Sequence, residues 1–147
     1  MKRIADWNTG KYLMFSSSLF LLPAVYAWYI FNLIQPSLIF ISASLISVNF
    51  WRDAVDDWRR YLDLYFAKFV GIYCTYIGIT SCPIIYTLFA GFPSLFIIIY
   101  LYNKASELYN NSENSKVWIA YHMGFHLLVT IQLFIVIYYM GSNSLVK

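Results

Sequence analysis

Five apolar stretches, each close to membrane-spanning length and separated by short segments that carry most of the charge, constrain this chain more than any other feature. A helix needs about 20 apolar residues to cross the hydrocarbon core of a bilayer. The stretches cover residues 12–34, 36–50, 61–80, 83–102 and 117–140. We therefore predict an all-α fold, a polytopic transmembrane helix bundle with about five spans that forms one transmembrane domain over residues 1–147.

The composition also indicates a membrane protein. Of its 147 residues, 61% are hydrophobic and only 12% are charged, which leaves too few polar groups to cover a water-soluble globule of this size. The net charge of +3 is spread over short segments without a stripe of Lys and Arg, so we expect no nucleic-acid partner. The expected localisation is a membrane crossed several times, and the expected partners are the lipid bilayer and other membrane subunits.

Two of the stretches have alternative interpretations. The first follows a charged N-terminus, which is typical of a signal peptide, but it exceeds a typical h-region and no small-x-small cleavage site follows it. We predict that it is a retained span. The stretch at residues 36–50 is short for a full crossing, so a four-span arrangement in which it is re-entrant is the alternative. Pro23 and Pro93 lie inside spans, where we predict kinks.

The positive charges predict the orientation, because short cytoplasmic loops are enriched in Lys and Arg. With five spans, nearly all basic residues fall on the N-terminal side: Lys2, Arg3, Lys11, Arg52, Arg59, Arg60, Lys104 and Lys116. The connections "QPS" and "TSCP" on the other side are uncharged, and only Lys147 follows the last span. We predict that the N-terminus is inside and the C-terminus outside, so the sequon at Asn110 should stay unmodified.

The most charged segment, "NFWRDAVDDWRRYLDLYFAK" at residues 49–68, lies between the second and third spans. Its apolar residues recur at i, i+4, i+7 and i+11, which predicts one helical face formed by Trp51, Val55, Trp58 and Leu62. Such a segment is typical of an interfacial turn whose tryptophans lie at the headgroup boundary. Asp56 is spaced to pair with Arg59 or Arg60. The alternative is specific recognition of lipid headgroups by Arg52, Arg59 and Arg60.

Two ionisable residues lie where the third apolar stretch has already begun. An ionised side chain inside a span is unfavourable unless it pairs or reaches water, so such residues are candidates for function. Lys68 can extend its long side chain back to the surface. Asp63 is shorter, so we predict that it points into the bundle.

The motif "YHMGFH" places both histidines of the chain, His122 and His126, one turn apart on one face of the last span. A helix needs this spacing to present two imidazoles to one metal ion. Because the last span begins on the inside, we expect both histidines at a depth similar to that of the polar residues Ser44, Ser47, Asn49 and Asp63.

Other roles for the histidines stay open. As packing residues they would hydrogen-bond neighbouring helices and contribute about 1 kcal/mol or less. A bis-histidine haem within one chain is disfavoured, because both histidines lie on one helix and the chain has no third. Haem shared with a partner subunit is the remaining haem arrangement. The cofactor is therefore unknown at this stage, with zinc favoured over haem.

The run "SVNFWRDAVDDWRRYLDLYFAK" at residues 47–68 and the later "WIAYHMGFH" at residues 118–126 resemble small multi-span proteins encoded by large DNA viruses and algae. The shared pattern is Ser-x-Asn-aromatic-Trp-Arg, then Trp-Arg-Arg-x-x-Asp, then Tyr-His-x-x-x-His. This resemblance implies a viral or organellar membrane. More distantly, a Ser in one span, an Asp near the start of the next and His-x-x-x-His in the last span are similar to the alkaline ceramidase and adiponectin-receptor superfamily.

Members of that superfamily have seven spans, and a zinc ion held by three histidines activates water to cut a lipid amide. The resemblance implies His122 and His126 as zinc ligands and Ser47 or Ser44 as a polar group lining the site. It also implies Asp63 as a third ligand or as the acid/base that orients the water.

This chain departs from that pattern in two ways. Where the superfamily takes a third histidine from the serine-bearing span, this chain offers Asn49 and Phe50, and five spans stand in place of seven. A zinc site would therefore need Asp63 as its third protein ligand and would keep one position for water.

Three functions are consistent with the sequence. A structural or accessory component of a membrane assembly without its own catalysis is favoured, because the chain has a large aromatic surface and no sizeable soluble domain. The alternative is a zinc-dependent lipid amide hydrolase in which Asp63 takes the proton of the water. A channel or transporter with Asp63 and Lys68 on a polar path is the weakest, since no filter-like motif is present.

Overall fold

The fold is known from a computed structural model that describes residues 3–110 and 116–145, apart from the side chain of Leu145. The helices are α1 (Trp7–Ser18), α2 (Leu21–Phe31), α3 (Ile34–Arg52), α4 (Trp58–Ser81), α5 (Ile84–Tyr86), α6 (Phe92–Asn110) and α7 (Val117–Leu145). A π-helical segment, Thr87–Gly91, joins α5 to α6. The described residues contain no named strand, and an isolated bridge pairs Arg3 with Val55.

Five helical spans are long and apolar enough to cross a membrane: Trp7–Phe31, Ile34–Arg52, Trp58–Ser81, Ile84–Asn110 and Val117–Ser144. The prediction of an all-α bundle with about five spans is confirmed. The second stretch forms a helix of 19 residues, long enough to cross. The inside and outside assignments stay predictions. Lys2, Lys147 and most of the sequon at Asn110 lie outside the described residues.

The first span consists of two helices with a break before Pro23. The Asp6 side chain accepts a hydrogen bond from the Thr9 N–H at 2.9 Å and caps α1. The hydroxyls of three consecutive serines at the end of α1 donate hydrogen bonds to backbone carbonyls one turn earlier. This pattern often bends helices. In a continuous helix the ring of Pro23 would clash with the carbonyl of Leu19, so the helix is interrupted before Pro23.

The second break lies at residues 53–57, here called the hinge. We predicted that Trp51, Val55 and Trp58 share one helical face, and this is wrong, because α3 ends at Arg52 and α4 begins at Trp58. Asp57 caps α4 by accepting the Arg59 N–H at 2.9 Å. The N-terminal segment pairs with the hinge through the Ile4 N–H, which donates to the Ala54 carbonyl at 2.8 Å.

The π-helical segment lies shortly before Pro93. Pro93 has no N–H to give to the helix, and a π-bulge is a recognised way to absorb such a defect. Two hydrogen bonds attach this region to α7. The Tyr86 hydroxyl donates to Gln132 Oε1, and Gln132 Nε2 donates to Ser94 Oγ at 2.9 Å.

Helix α7 is the centre of the bundle and contacts α1, α2, α4 and α6. A buried core joins it to α2, α3 and α4 through Ala24, Ala27, Phe40, Val70, Leu133 and Ile137. Helices α4 and α6 both pack on α7, and the space between them forms a depression, here called the α4–α6 groove, with α7 as its floor.

Close packing of α1 on α3 can be tested at Gly10. A Cβ at this position would lie 2.5 Å from the carbonyl oxygen of Trp51, a backbone atom that cannot rotate away. We expect Gly10→Ala to destabilise the protein by about 1–3 kcal/mol. In a chain of this size that lowers the thermal unfolding midpoint in detergent by several degrees, about 2–4 °C per kcal/mol.

Gly71→Ala is the matched control, because a Cβ there meets no atom within 4 Å. Since alanine favours helix over glycine by about 1 kcal/mol, this substitution should leave the midpoint unchanged or raise it. Equal midpoints for both variants would contradict the described contact between α1 and α3.

Candidate functional site

Polar side chains from four helices lie near the end of the bundle that carries the hinge. Ser47, Asp63, His122 and His126 line one cavity of about 170 Å³, here called the middle cavity. They come from α3, α4 and α7, and α1 adds Ser16 through its contact with His126. Ser44 is buried on α3 and is not among the residues that line this cavity.

His126 is almost fully enclosed, with 3% of its surface exposed. Its Nδ1 lies 2.8 Å from the hydroxyl oxygen of Ser16, and the edge of its ring meets Phe20 at 5.2 Å between centroids. Ser16 Oγ also lies 3.0 Å from the Leu13 carbonyl. If the hydroxyl donates to that carbonyl, Nδ1 of His126 carries the proton and donates to Ser16.

His122 occupies an aromatic setting rather than a hydrogen-bonded one. Its ring lies 5.2 Å from Trp51, 6.3 Å from Trp118 and 5.7 Å from Phe125, measured between centroids, each in an edge-on arrangement. The His126 ring lies 4.7 Å away, also edge-on. The two histidines therefore have different surroundings although they are one turn apart.

A pair of serines joins α1 to α3 beside the histidines. Ser17 and Ser47 are buried, and their hydroxyl oxygens are 2.9 Å apart. Ser17 donates to the Leu13 carbonyl at 2.8 Å, which leaves Ser47 as the donor between the two serines. Ser47, which the resemblance implied as a site residue, thus has a defined structural role.

The described residues do not support the predicted metal site. No three His, Cys, Asp or Glu side chains among them are grouped so that they could hold a metal ion. A zinc site takes three or four protein ligands. The set His122, His126 and Asp63 is therefore not assembled as a ligand group, and Nδ1 of His126 is occupied by Ser16.

Two of the arginines predicted at the interface, Arg59 and Arg60, form ion pairs within the chain. Arg60 pairs with Asp56 at 2.8 Å, and Arg59 pairs with Asp57 at 2.9 Å and with Asp53 at 3.5 Å. The side-chain hydrogen bond from Arg59 holds the pKa of Asp57 below its ordinary value. This carboxylate therefore favours folding above its unfolded pKa, and the contribution is lost as pH falls through the lower folded value.

The tryptophans predicted at the headgroup boundary differ from each other. Trp58 is 67% exposed and is free to meet lipid, whereas Trp51 is 6% exposed and packs against Phe50 and Trp118. Trp51 turns inward because the hinge breaks the helix between the two residues. Arg52, at the end of α3, is exposed and lies 3.5 Å from the side-chain oxygen of Asn49.

A second cavity of about 130 Å³ lies next to the hinge and is here called the hinge-end cavity. It shares Asp63, Leu64, Tyr102 and His122 with the middle cavity. Trp51 forms part of its wall, and the buried indole Nε1 of Trp51 has no hydrogen-bond partner among the described residues.

Sequence reasoning missed the first span and α6 as contributors to this region. Ser16 and Ser17 stand in the run "SSS" at residues 16–18, and three consecutive hydroxyls in a helix place at least one toward the bundle. The position of Tyr102 in this region could not be predicted in the same way, because tyrosines are frequent along the whole chain.

Comparisons with protein-family models, with curated proteins and with solved structures find no match for this chain.

The Ser16–His126 bond should contribute measurably to stability. Ser16→Ala leaves a buried imidazole nitrogen without its partner, so we expect a loss of about 1 kcal/mol, within the range measured for bonds between membrane helices. The free energy of unfolding in mixed detergent and SDS micelles measures it. Ser18→Ala is the control, because the Ser18 hydroxyl bonds to the Phe15 carbonyl of its own helix and to no other described residue. Equal losses in the two variants would show that the bond to His126 contributes nothing.

The absence of an assembled ligand group predicts that the purified protein holds no stoichiometric zinc. Elemental analysis of wild type beside a His122→Ala, His126→Ala double variant measures this, and an absorbance scan of the same samples detects haem. About one zinc per chain, lost in the double variant, would contradict the expectation and restore the histidines as ligands.

Proposed function

We propose that this protein is an accessory component of a membrane assembly, without catalysis of its own, and that α4 supplies its contact with a neighbouring subunit. The observation that carries the proposal is an exposed apolar stripe along α4. The stripe consists of Trp58, Leu62, Tyr65, Phe69, Ile72 and Tyr76, each at least 42% exposed.

The six stripe residues share one face of α4. Their intervals of four, three, four, three and four residues average 3.6, the period of an α-helix. The stripe is therefore one continuous apolar surface along the helix, as a contact with a helix of a neighbouring subunit requires.

The position of α4 in the fold also supports the proposal. It contacts α3 and α7 on one side, and little of its length is buried within the chain. The charged hinge fixes its start through the pairs of Arg59 and Arg60. The opposite end is tied by Asn143 of α7, which donates from Nδ2 to the Ser81 carbonyl at 2.9 Å. Both ends are held, and the stripe between them stays free.

The alternatives predicted from sequence have less support. Zinc-dependent hydrolysis of a lipid amide requires a third ligand, and the described residues do not group one with the two histidines. Transport along Asp63 and Lys68 requires both groups on one path. The Lys68 side chain instead lies over the exposed ring of Tyr65, with Nζ 5.5 Å from the ring centroid.

A photo-crosslinking residue placed on the stripe tests the proposal in the native membrane. We expect p-benzoylphenylalanine at Phe69 or Ile72 to give a discrete protein adduct, because the stripe is buried against a neighbouring subunit. Gel electrophoresis after irradiation, followed by mass spectrometry of the adduct, measures this.

The same residue at Leu45 is the control, since Leu45 is 61% exposed on α3, away from the stripe, and should react with lipid alone. Tyr76→Ala, which shortens the stripe without touching the crosslinker, should reduce the adduct at Phe69. Equal protein adducts at the stripe and at Leu45, or lipid adducts alone at every position, would overturn the proposal.

A further inference from the structure

A line of three adjoining cavities follows the α4–α6 groove. The hinge-end and middle cavities share wall residues, and the middle cavity shares Gly71, Cys74 and Val129 with a third cavity of about 130 Å³, farther from the hinge. From Arg60 to Ile79, the two α4 residues that bound this line, the helix rises about 28 Å at 1.5 Å per residue. That is most of the roughly 30 Å thickness of a bilayer core.

The walls of the groove are apolar along most of this length and leave room for a chain. Gly71 faces open space, with no atom within 4 Å of a Cβ placed there. Gly78 is little more crowded, since its Cβ would meet Val136 at 3.6 Å. A narrow apolar channel beside the bilayer core fits a flexible hydrocarbon chain lying parallel to the helices.

The hinge end of the groove differs, because it holds a carboxyl group among aromatic rings. Asp63 takes part in none of the ion pairs found among the described residues. The aromatic wall residues of the hinge-end cavity are Phe50, Trp51, Tyr102, Tyr109 and Trp118. Carboxylate and aromatic rings together form the cage that binds organic ammonium ions.

The charge balance also favours a cation. Arg60 lines the same cavity, but its guanidinium is neutralised by Asp56 at 2.8 Å. The Lys68 ammonium lies over Tyr65 on an exposed part of α4 and is not paired with Asp63. An ionised Asp63 therefore leaves the cavity with one uncompensated negative charge, which is unfavourable inside a span unless a positive ligand compensates it.

We infer that the α4–α6 groove binds a lipid with an ammonium headgroup. The ammonium lies in the hinge-end cavity against Asp63 and the aromatic cage, and one hydrocarbon chain occupies the groove beyond it. This site goes beyond the proposed accessory role and uses a different face of α4 from the stripe.

Lipid titration followed by native mass spectrometry of the detergent-purified protein tests the headgroup. The probes are phosphatidylcholine, phosphatidylglycerol, and the phospholipid whose trimethylammonium is replaced by its neutral carbon isostere, all with the same acyl chains. We expect phosphatidylcholine to bind about tenfold more tightly than the other two, the size expected of a desolvated cation–π and carboxylate contact. Hexadecylamine is a fourth probe, and binding of this amine without phosphatidylcholine would assign the site to a single-chain amine.

Two variants locate the contacts. Asp63→Asn keeps the shape of the side chain and should abolish the preference for phosphatidylcholine, whereas Glu107→Gln removes a charge at an exposed site outside the groove and should not. Tyr102→Leu removes one ring of the cage and should reduce the preference if Asp63→Asn fails to fold. Gly71→Leu fills the groove and should weaken all three phospholipids equally.

The inference fails if wild-type protein binds phosphatidylglycerol or the neutral isostere as tightly as phosphatidylcholine. It also fails if a folded Asp63→Asn protein, judged by an unchanged thermal midpoint, keeps the wild-type preference. Both outcomes are independent of the stripe, because no stripe residue is altered.

Discussion

The lack of water inside a bilayer is the constraint on which this structure depends. Each polar side chain in a span must find its hydrogen-bond partner within the protein, and in this bundle α7 provides most of these connections. His126 bonds to Ser16 of α1, Gln132 joins α5 and α6, and Asn143 bonds to the end of α4. Apolar packing gives the bundle its core but little specificity, because lipid tails are as apolar as leucine. The polar groups of α7 therefore set which helix lies beside it and at what depth.

Against this background, the carboxyl group of Asp63 is informative. Asp63 has no ion pair among the described residues, whereas Arg59 and Arg60 each pair with an aspartate. Asp63 lines both the hinge-end and the middle cavity. A carboxylate at this place in a span favours a cationic ligand. The two histidines pack edge-on against each other, and His126 also bonds to Ser16.

The sequence predicted the spans well because hydrophobic length is a local property, and five apolar stretches became five helical spans. It predicted the hinge poorly. The regular spacing of Trp51, Val55 and Trp58 indicated one helix, but α3 ends at Arg52 and Asp57 caps a new helix, so the residues between them are not helical. The hydrogen-bond partner of His126 could not be predicted from the sequence either. Ser16 lies 110 residues away, and the packing of α1 against α7 brings the two residues together. Spacing within one helix suggested a metal pair, whereas contacts between helices gave the two histidines separate surroundings.

Helix α4 carries both proposed surfaces, and its packing explains why they can coexist. The groove lies on the side toward α6, the stripe lies on the exposed side, and the helix between them rests on α3 and α7. Because α4 and α6 are joined mainly through α7, the distance between them is not fixed by direct packing of their own side chains. A hydrocarbon chain in the groove would supply that packing and hold α4 at a defined angle. The orientation of the stripe toward a neighbouring subunit would then depend on the bound lipid. The lipid would influence the interface although it does not contact the neighbouring subunit.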